Sequence, residues 1–544
     1  MSRAATAGDQ ADGRAVPAPR PRALAALAGL LAAAAALAAG QLPTAVAGER
    51  VSLVTAVGNE FVDRYAASLK DLAVALFGQN DKAALVVGIV ATSLVLGAGL
   101  GLVARTRFGP AAAGLAVFGV VGALSLASDP GSGWAMALAS AGAAVIAGVA
   151  TLALLLRPLG AGPLTASRGA RTGRTGVGPD PGLDPTVRSA DRRSFLRLVG
   201  VVGVAAGAAT VAGRTLRDRG SVAMRRATLA LPPPAAGRVE VPRDGLLQVD
   251  GISPYVTPND DFYRIDTALV TPQVDVDSWR LRISGLVDQP YELTFGDLAS
   301  LDLVEEAVTI ACVSNEVGGD LVGNAVWLGV PLTTVLERAG VRPEGTQVVG
   351  RSVDGFTVGF PTDVALDGRV AMVAIGMNGE PLPVAHGFPA RLIVAGLYGY
   401  VSATKWLSEI ELTRFEDFDA YWVPRGWSKL GPVKTQSRID VPRHRARLPA
   451  GGTAIAGVAF APGVGIRAVE VQVDDGPWEP AELGASIGDE TWVQWALQWQ
   501  ATPGDHTLRV RATDATGNTQ TADEAPPRPD GATGHHTVRV TVAA

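Results

Sequence analysis

The sequence has only one cysteine in 544 residues, Cys312, and this scarcity excludes several kinds of site. A single thiol cannot form an intrachain disulfide, a Cys-x-x-Cys metal site or the attachment of a c-type haem. Iron–sulfur clusters held by several cysteines of this chain are excluded for the same reason. Whatever Cys312 does, it does without a second cysteine from the same chain.

Histidine is also scarce, and all five histidines lie after residue 215. Before that point there is no cysteine either, and Met1 and Met136 are the only methionines. Haem b needs axial ligands such as His or Met, usually supplied from facing helices. We therefore expect no haem in the N-terminal part, which is read as an anchor or a partner-binding surface.

The soluble part lacks a basic stripe, and the formal net charge of the chain is −5, so nothing indicates nucleic acid as a partner. Composition is uneven along the chain. The Ala, Leu, Val and Gly excess lies mostly before residue 215, whereas nine of the ten tryptophans lie after it. A chain of this length is expected to form about three folded units, here a membrane part followed by soluble domains.

Five apolar runs precede residue 215, each near the roughly 20 residues that a helix needs to cross a bilayer. We predict about five transmembrane helices within a membrane domain spanning residues 1–213. The runs are Ala23–Gly40, Ala84–Ala104, Ala111–Ala127, Trp134–Leu156 and Phe195–Ala212.

Arginine clusters predict the orientation of these helices, because cytoplasmic loops carry an excess of basic residues. All the clusters fall on one side of the membrane if the N-terminus is cytoplasmic, and the loop "SDPGSG" on the other side has no basic residue. The expected product is a multi-pass cell-membrane protein whose C-terminal domains are extracytoplasmic. The clusters contain Arg14, Arg20 and Arg22; Arg105 and Arg107; and Arg157, Arg168, Arg171 and Arg174.

The fifth run opens with "DRRSFLRLVG", in which Arg192 and Arg193 precede Phe195 and Leu196. This pattern resembles a twin-arginine export signal placed inside the chain. The other interpretation is a basic cap on the cytoplasmic end of a helix. If the signal is used, everything after about Gly213 crosses the membrane already folded, as suits a domain that acquires its cofactor in the cytoplasm.

Residue composition and pattern divide the remaining chain into three parts. Residues 214–249 read as a linker with a stiff "LPPPAAG" spacer. Residues 250–425 alternate short β-rich runs such as "WRLRISGLV" with helical runs such as "PLTTVLERAG", which predicts an α+β domain. Residues 426–544 end in regular strands and turns, among them "VEVQVDDGPWEPAEL", which predicts an immunoglobulin-like β-sandwich.

Cys312 follows the apolar run "AVTIA" and precedes the polar loop "VSNEVGGD". A thiol at the end of a strand can point into a cleft. From the residues alone three interpretations stay open: a small buried hydrophobe, a nucleophile with His386 as its base, or a thiolate metal ligand.

A second cluster, "NGEPLPVAHGFPARLIVAGLYGYVSATKWL", spans residues 378–407 and combines frequent Gly and Pro with His386, Arg391 and Lys405. Small residues let the backbone approach a ligand closely, and a fixed Arg and a Lys suit a phosphate. These residue types predict a site for a large anionic cofactor.

The segments "ACVSNEVGGDLVGNAVWLGVPLTTVL", "NGEPLPVAHGFPARLIV" with "YGYVSATKWL", and "GPVKTQSRIDVP" resemble, in this order, the molybdopterin-dependent oxidoreductases of the sulfite oxidase family. The resemblance covers about residues 250–544. It implies a molybdenum–molybdopterin cofactor, a C-terminal sandwich that often serves dimerisation, and Cys312 as the thiolate ligand of molybdenum and the catalytic residue. It further implies a cofactor-binding set of Asn259, Tyr263, Arg264, Ser352, His386, Arg391, Thr404 and Lys405.

Two positions depart from the eukaryotic sulfite oxidases: Glu316 stands where an anion-binding Arg is expected, and Phe356 where a Tyr is expected. A carboxylate repels an oxyanion, so sulfite is not the expected substrate. The sequence therefore predicts a membrane-anchored oxidoreductase acting on a small molecule, without haem or iron–sulfur cluster. A separate protein or a quinone would exchange its electrons, and homodimers are possible. The alternative is a membrane-tethered extracytoplasmic binding or adhesion protein that keeps the fold without turnover.

Overall fold

The structure is a computed structural model that describes residues 21–47, 51–61, 81–128, 133–159, 197–201, 203–204, 207–208, 222–242 and 246–544. The chain divides into two compact units, Met1–Arg219 and Gly220–Ala544. Each unit is described by itself below.

The N-terminal unit is helical. Four of its helical segments are long and apolar enough to cross a membrane: Arg22–Val46, Ala84–Ala104, Phe108–Ala127 and Trp134–Leu159. This confirms the first four predicted runs, with boundaries shifted by a few residues. Its helices include α1 Pro21–Ala39, α2 Leu42–Val46, α3 Asp81–Ala104, α4 Phe108–Ala127 and α5 Trp134–Leu156.

Small residues let these helices approach closely. A methyl group at Gly29 of α1 would lie 2.1 Å from the carbonyl oxygen of Gly97 of α3, so the two backbones are in contact there. Ala25, Ala28 and Ala32 on the same helix are fully buried. Close packing of small residues is how helices associate in lipid, where there is no hydrophobic driving force between them.

Two predictions fall largely or wholly outside the described residues. The twin-arginine pair Arg192 and Arg193 lies there entirely, and of the fifth run only residues 197–201, 203–204 and 207–208 are described, as helix. The segment predicted as a linker differs from expectation where it is described. It contains a short helix, α6 Val222–Thr228, because Val222 is buried in the core of the second unit and Arg226 donates to the carbonyl oxygen of Pro381 at 2.6 Å.

The second unit is rich in strands, with short helices between them. The helices are α7 Phe295–Ala299, α8 Leu332–Ala339, α9 Thr362–Leu366 and α10 Gly399–Ser402. The strands are β1 Arg280–Gly285, β2 Tyr291–Thr294, β3 Val304–Ala311, β4 Val322–Pro331, β5 Gln347–Ser352, β6 Thr357–Pro361, β7 Ala371–Met377, β8 Glu380–Pro381, β9 Arg391–Val394, β10 Leu407–Thr413, β11 Gln436–Val441, β12 Arg447–Leu448, β13 Gly451–Phe460, β14 Ile466–Val473, β15 Trp478–Pro480, β16 Glu482–Leu483, β17 Val493–Ala501, β18 Gly504–Asp514 and β19 His536–Val542.

One mixed sheet, one antiparallel sheet and their helices form the part of this unit before residue 420. One sheet has the order β2-β1-β10-β5-β6, and the other has the order β3-β4-β7-β8 with β9 also paired to β7. Nearly all pairs are antiparallel, the exception being β1 with β10. This is an α+β arrangement, as the alternating sequence pattern predicts.

The C-terminal strands form two further sheets, β11-β13-β17-β16 and β12-β19-β18-β14-β15. Residues of both sheets, such as Trp495 on β17 and Val510 on β18, bury their side chains in one core, so the sheets pack face to face as a sandwich. The predicted hairpin is confirmed, because β14 and β15 pair across the Asp475-Gly476 turn. The sandwich also contributes Val458, Phe460 and Trp492 to the core of the preceding sheets.

Candidate functional site

The predicted strand end at Cys312 is confirmed. Strand β3 ends at Ala311, and Cys312 is the next residue, with 9% of its surface exposed. The loop that follows closes on itself: the Cys312 amide donates to the carbonyl of Leu321 at 2.9 Å, and the Asn315 amide donates to the carbonyl of Cys312 at 3.0 Å. The thiol therefore lies at a fixed point where a buried strand turns.

Asn259 and His386, 127 residues apart in sequence, meet in the fold. His386 ends a short turn of 3₁₀ helix, and its Nε2 lies 3.1 Å from the carbonyl oxygen of Asn259. The pKa of His386 falls to about 4, first because the ring is buried and then because Arg391 and Lys405 lie near it. The imidazole is therefore neutral at physiological pH and can act as donor or acceptor toward a ligand.

Arg391 opens β9 beneath the aromatic ring of Trp327. Its guanidinium carbon lies 5.0 Å from the ring centroid, and its Nη1 donates to the carbonyl of His386 at 3.2 Å. Only 2% of the residue is exposed, and burial lowers the pKa of Arg391 to about 10, which leaves it charged. Burial is also the main cause that raises the pKa of Tyr263. The charge of the Cys312 thiolate raises this pKa further, whereas the charge of Arg391 lowers it. The Tyr263 phenol therefore lies close to both groups.

Arg264 and Lys405 share one carboxylate. Arg264 Nε lies 2.9 Å and Lys405 Nζ lies 3.3 Å from Oδ2 of Asp266, whose side chain is 5% exposed. Burial is the first cause that lowers the pKa of Lys405 to about 8, and Asp266 opposes this shift. Arg391 lies near as well, so cations outnumber the Asp266 carboxylate that binds Arg264 and Lys405, which favours an anionic ligand.

Ser352 ends β5, and Thr404 lies in the segment that leads into the neighbouring strand β10. Ser352 pairs with Leu407 of β10, while the carbonyl of Thr404 accepts from the amide of Leu392 at 2.9 Å. The Ser352 hydroxyl accepts from the amide of Asp354 at 3.4 Å. Burial raises the pKa of Asp354, and the charge of Asp266 raises it further, so Ser352 belongs to the same neighbourhood.

Three of the predicted site residues bury a polar atom that has no hydrogen-bond partner within the described part of the chain: His386 Nδ1, Arg391 Nε and Thr404 Oγ1. An unpartnered buried polar group costs about 1–3 kcal/mol, and such groups are rare in folded proteins. Two of these atoms can donate and one can donate or accept, depending on the tautomer. Together with the excess of cations, they fit a ligand that carries ring heteroatoms and a phosphate.

Two residues of the site were missed by the sequence reasoning. Asn378 donates from Nδ2 to Asn259 Oδ1 at 2.8 Å and so fixes that amide. The Asn378-Gly379 turn was a visible signal, because Asn378 adopts a φ of 53° that Asn tolerates well. Asp266 was also missed, although it lies two residues after Arg264 and could have been proposed as its partner.

The two departures noted in the sequence lie in different surroundings. Glu316 is exposed on the loop of residues 312–321, which is called here the Cys312 loop. Phe356 packs against Tyr421, with 5.5 Å between ring centroids. Each therefore occupies the segment predicted for it, Glu316 in the Cys312 loop and Phe356 just after β5.

Comparison with known proteins identifies the ligand class that these residues suit. The family described as "Oxidoreductase molybdopterin binding domain" matches residues 268–422. YuiH of Bacillus subtilis, an uncharacterised oxidoreductase, is 36% identical over 157 residues, which are 29% of this chain and 76% of that protein. The chain belongs to the molybdopterin oxidoreductases of the sulfite oxidase family.

Other relatives of this molybdopterin oxidoreductase match a longer stretch at lower identity. Mitochondrial sulfite oxidase of Macaca fascicularis is 29% identical over 324 residues, 50% of this chain, and the chain spans 58% of that enzyme. Sulfite oxidase of Arabidopsis thaliana is 28% identical over 341 residues, covering 52% of this chain and 85% of that enzyme. The match to these relatives supports the prediction that this chain is an oxidoreductase that depends on the molybdenum cofactor.

Proposed function

We propose that the chain is a membrane-anchored molybdopterin-dependent oxidoreductase that transfers an oxygen atom, or performs a related two-electron reaction, on a small substrate. The observation that carries this proposal is the set of buried atoms on His386, Arg391 and Thr404 that find no hydrogen-bond partner in the part of the chain that the structure describes. Keeping all three costs several kcal/mol without a ligand, since each costs about 1–3 kcal/mol. A bound cofactor would supply the missing partners.

The predicted site residues fall into groups with different proposed roles toward the cofactor. Cys312 would hold molybdenum through its thiolate, as a soft ligand suits this metal. Cationic Arg264, Arg391 and Lys405 would hold the phosphate, and His386 would face the pterin ring. The cofactor, when bound, supplies the two-electron chemistry; the chain supplies position, charge and shelter from water. The remaining members of the proposed set, which shape and hold the pocket, are Asn259, Tyr263, Ser352 and Thr404.

The proposed substrate is a small molecule other than an oxyanion such as sulfite. Support comes from Glu316, a carboxylate on the Cys312 loop at the place where a guanidinium would be expected. A carboxylate raises the free energy of a nearby anion rather than lowering it. Weak sulfite turnover compared with uncharged oxygen-atom donors or acceptors is the expected result.

The proposed location is the cell membrane, with the N-terminus in the cytoplasm and the second unit outside it. Four apolar helices and the one-sided arginine clusters support this arrangement. The N-terminal part has no His or Cys up to residue 215, so a separate protein or a quinone is the proposed electron partner. The twin-arginine-like motif is proposed as the export signal of the folded second unit.

The proposed domain organisation is a membrane domain 1–213, a linker 214–249 whose part from Val222 onward packs on the second unit, a molybdopterin domain 250–425 and an immunoglobulin-like domain 426–544. The two-sheet sandwich built from β11 to β19 supports the last of these. By its resemblance to the sandwich of the family, this domain is also the proposed site of homodimer contacts.

Metal analysis combined with turnover tests the proposal. The full chain, made in a host that synthesises the cofactor and purified in detergent, is expected to contain about one molybdenum per chain. It should also turn over at least one substrate in a panel of oxygen-atom donors and acceptors with artificial electron carriers. Absence of molybdenum would refute the cofactor assignment. Molybdenum without turnover across the panel would favour a tethered binding or adhesion protein that keeps the fold.

A further inference from the structure

The Cys312 loop, residues 312–321, is held in part by its own hydrogen bonds. Backbone bonds join Cys312 to Leu321 and Asn315 to Cys312, the Gly319 amide donates to the carbonyl of Glu316 at 2.9 Å, and the Leu321 amide donates to Asn315 Oδ1 at 2.8 Å. Its distal half contains Gly318 and Gly319, residues that give a backbone much conformational freedom. Contacts from outside the loop therefore add to the restraint that its own turn gives this half.

Arg438, on β11 of the C-terminal sandwich, supplies such a contact. Its Nη1 donates to the carbonyl of Gly319 at 2.7 Å, and its Nη2 donates to Ser253 Oγ at 2.9 Å. Its Nε donates to Asp440 Oδ1 at 2.7 Å. The guanidinium side chain is 13% exposed, so these charged hydrogen bonds lie largely out of water, where they are strongest.

A second sandwich residue supports the same half of the loop. The ring of His536 on β19 lies against Gly318, since a methyl group at Gly318 would come within 2.1 Å of His536 Cδ2. Glycine suits position 318 for two reasons: it has no Cβ to meet the ring, and its φ of +78° is a conformation that favours glycine. The ring is itself held, because its Nδ1 accepts from the amide of Ile439 at 3.0 Å.

The strand that precedes Cys312 is also bonded to the sandwich. The amide of Thr309 donates to the carbonyl of Glu490 at 2.9 Å, and the hydroxyl of Thr309 accepts from the amide of Trp492 at 2.7 Å. The thiol-bearing residue thus lies between two points, Thr309 and Gly319, that the sandwich holds.

We infer that Arg438 is a positioning residue of the oxidoreductase, which acts through the carbonyl of Gly319 to hold Cys312 at the cofactor site. A ligand side chain must be held within about 0.5 Å of its working position, and a loop with adjacent glycines does not achieve that alone. Only the ligand role of Cys312 rests on the proposed function. The mechanical link from Arg438 to the loop does not.

The single cysteine gives this inference a readout that needs no cofactor. The full chain is made in a host unable to synthesise molybdopterin, and the rate of iodoacetamide labelling of Cys312 is measured by mass spectrometry. Arg438→Lys keeps a cation beside Asp440 but loses the fork that reaches Gly319. Losing a charged hydrogen bond should raise the open population of the loop, and the labelling rate, about tenfold or more. Amide hydrogen exchange of residues 312–321 should accelerate as well.

Arg511 is the matched control within the same sandwich. Its Nε donates to Glu470 Oε2 at 2.8 Å, and its side chain is 28% exposed. Arg511→Gln should leave the labelling of Cys312 unchanged. A similar rise in both variants would overturn the inference, and so would an Arg438→Lys protein that is folded but labels at the wild-type rate.

If Arg438→Lys does not fold, amide hydrogen exchange of the wild-type protein tests the inference instead. If the sandwich holds the loop, the amides of Cys312 and Leu321 exchange as slowly as those of β11; exchange as fast as an exposed loop would overturn the inference. In cofactor-competent cells, Arg438→Lys should bind less molybdenum than Arg511→Gln. If wild-type protein binds none, the proposed function fails while the labelling result still decides the role of Arg438.

Discussion

Replacing Thr404 with Val should change the stability of the cofactor-free protein and the retention of the cofactor in opposite directions. Thr404 is fully buried, and its hydroxyl has no hydrogen-bond partner within the described residues. Valine has nearly the same shape with a methyl group in place of the hydroxyl. The substitution therefore removes the unpartnered group without opening a cavity.

The magnitudes follow from the cost of an unmade hydrogen bond. An unpartnered buried hydroxyl costs about 1–3 kcal/mol, so the cofactor-free variant should gain a stability of about this size. At about 2.1 cal/mol/K of unfolding entropy per residue over Gly220–Ala544, this corresponds to roughly 1.5–4.5 °C in Tm. A hydrogen bond to an anionic cofactor contributes about 1.5–3 kcal/mol, so its loss should weaken retention by roughly 10- to 150-fold.

The assay compares full-length protein with and without cofactor. Thermal unfolding of the cofactor-free form measures the first effect, and the rate of molybdenum loss from the loaded form under dilution measures the second. Thr362→Val is the matched control, because its buried hydroxyl donates to the carbonyl of Gly345 at 2.7 Å. That variant should lose about 1 kcal/mol of stability and keep its molybdenum.

A Thr404→Val protein that loses stability without cofactor, as Thr362→Val does, would mean that the Thr404 hydroxyl already has a partner and would contradict the prediction. Unchanged molybdenum retention together with a stability gain would show that the hydroxyl is unpartnered but does not face the cofactor.

Three further predictions test other parts of the site. Cys312→Ser should abolish turnover while the thermal transition stays within a few degrees, and unchanged turnover in the substrate panel would exclude Cys312 as the metal ligand. The pKa of His386, about 4 in the fold against an ordinary 6.5, means that its neutral ring stabilises the fold fully above about pH 6.5. This contribution, up to about 3 kcal/mol, is lost as the pH falls toward 4. In urea unfolding of the cofactor-free protein, the free energy of unfolding should therefore fall less between pH 7 and 4.5 for His386→Asn than for the wild-type protein. An equal fall in both proteins would contradict this prediction. Lys405→Met should lower stability by about 1–3 kcal/mol, less than the 3–5 kcal/mol typical of a broken buried pair, because Asp266 keeps Arg264 as a partner. Its molybdenum content should fall, whereas Lys405→Arg should retain most of it, and normal metal content in Lys405→Met would contradict the phosphate-binding role.

Local signals in the amino-acid sequence are enough to predict several of the elements. Apolar runs of the right length specified α1, α3, α4 and α5, and the β-branched run before Cys312 specified the end of β3. Their ends were less well predicted. Helix α3 begins at Asp81, three residues before the apolar run, because helical hydrogen bonds do not require apolar side chains. The family motifs indicated which residues surround the cofactor.

How residues far apart in the chain come together could be learned from the folded structure alone. It showed that Asp266 lies between Arg264 and Lys405, and that His386, Arg391 and Thr404 bury polar atoms that have no partner among the described residues. It also brought Arg438 of the sandwich to the Cys312 loop, more than a hundred residues earlier in the chain. Periodicity and composition record which face of a strand is buried, but the partner of a buried polar atom depends on sheet register and on how separate sheets pack. Those are decided by the whole folded chain, and in this protein they decide what holds Cys312 in place.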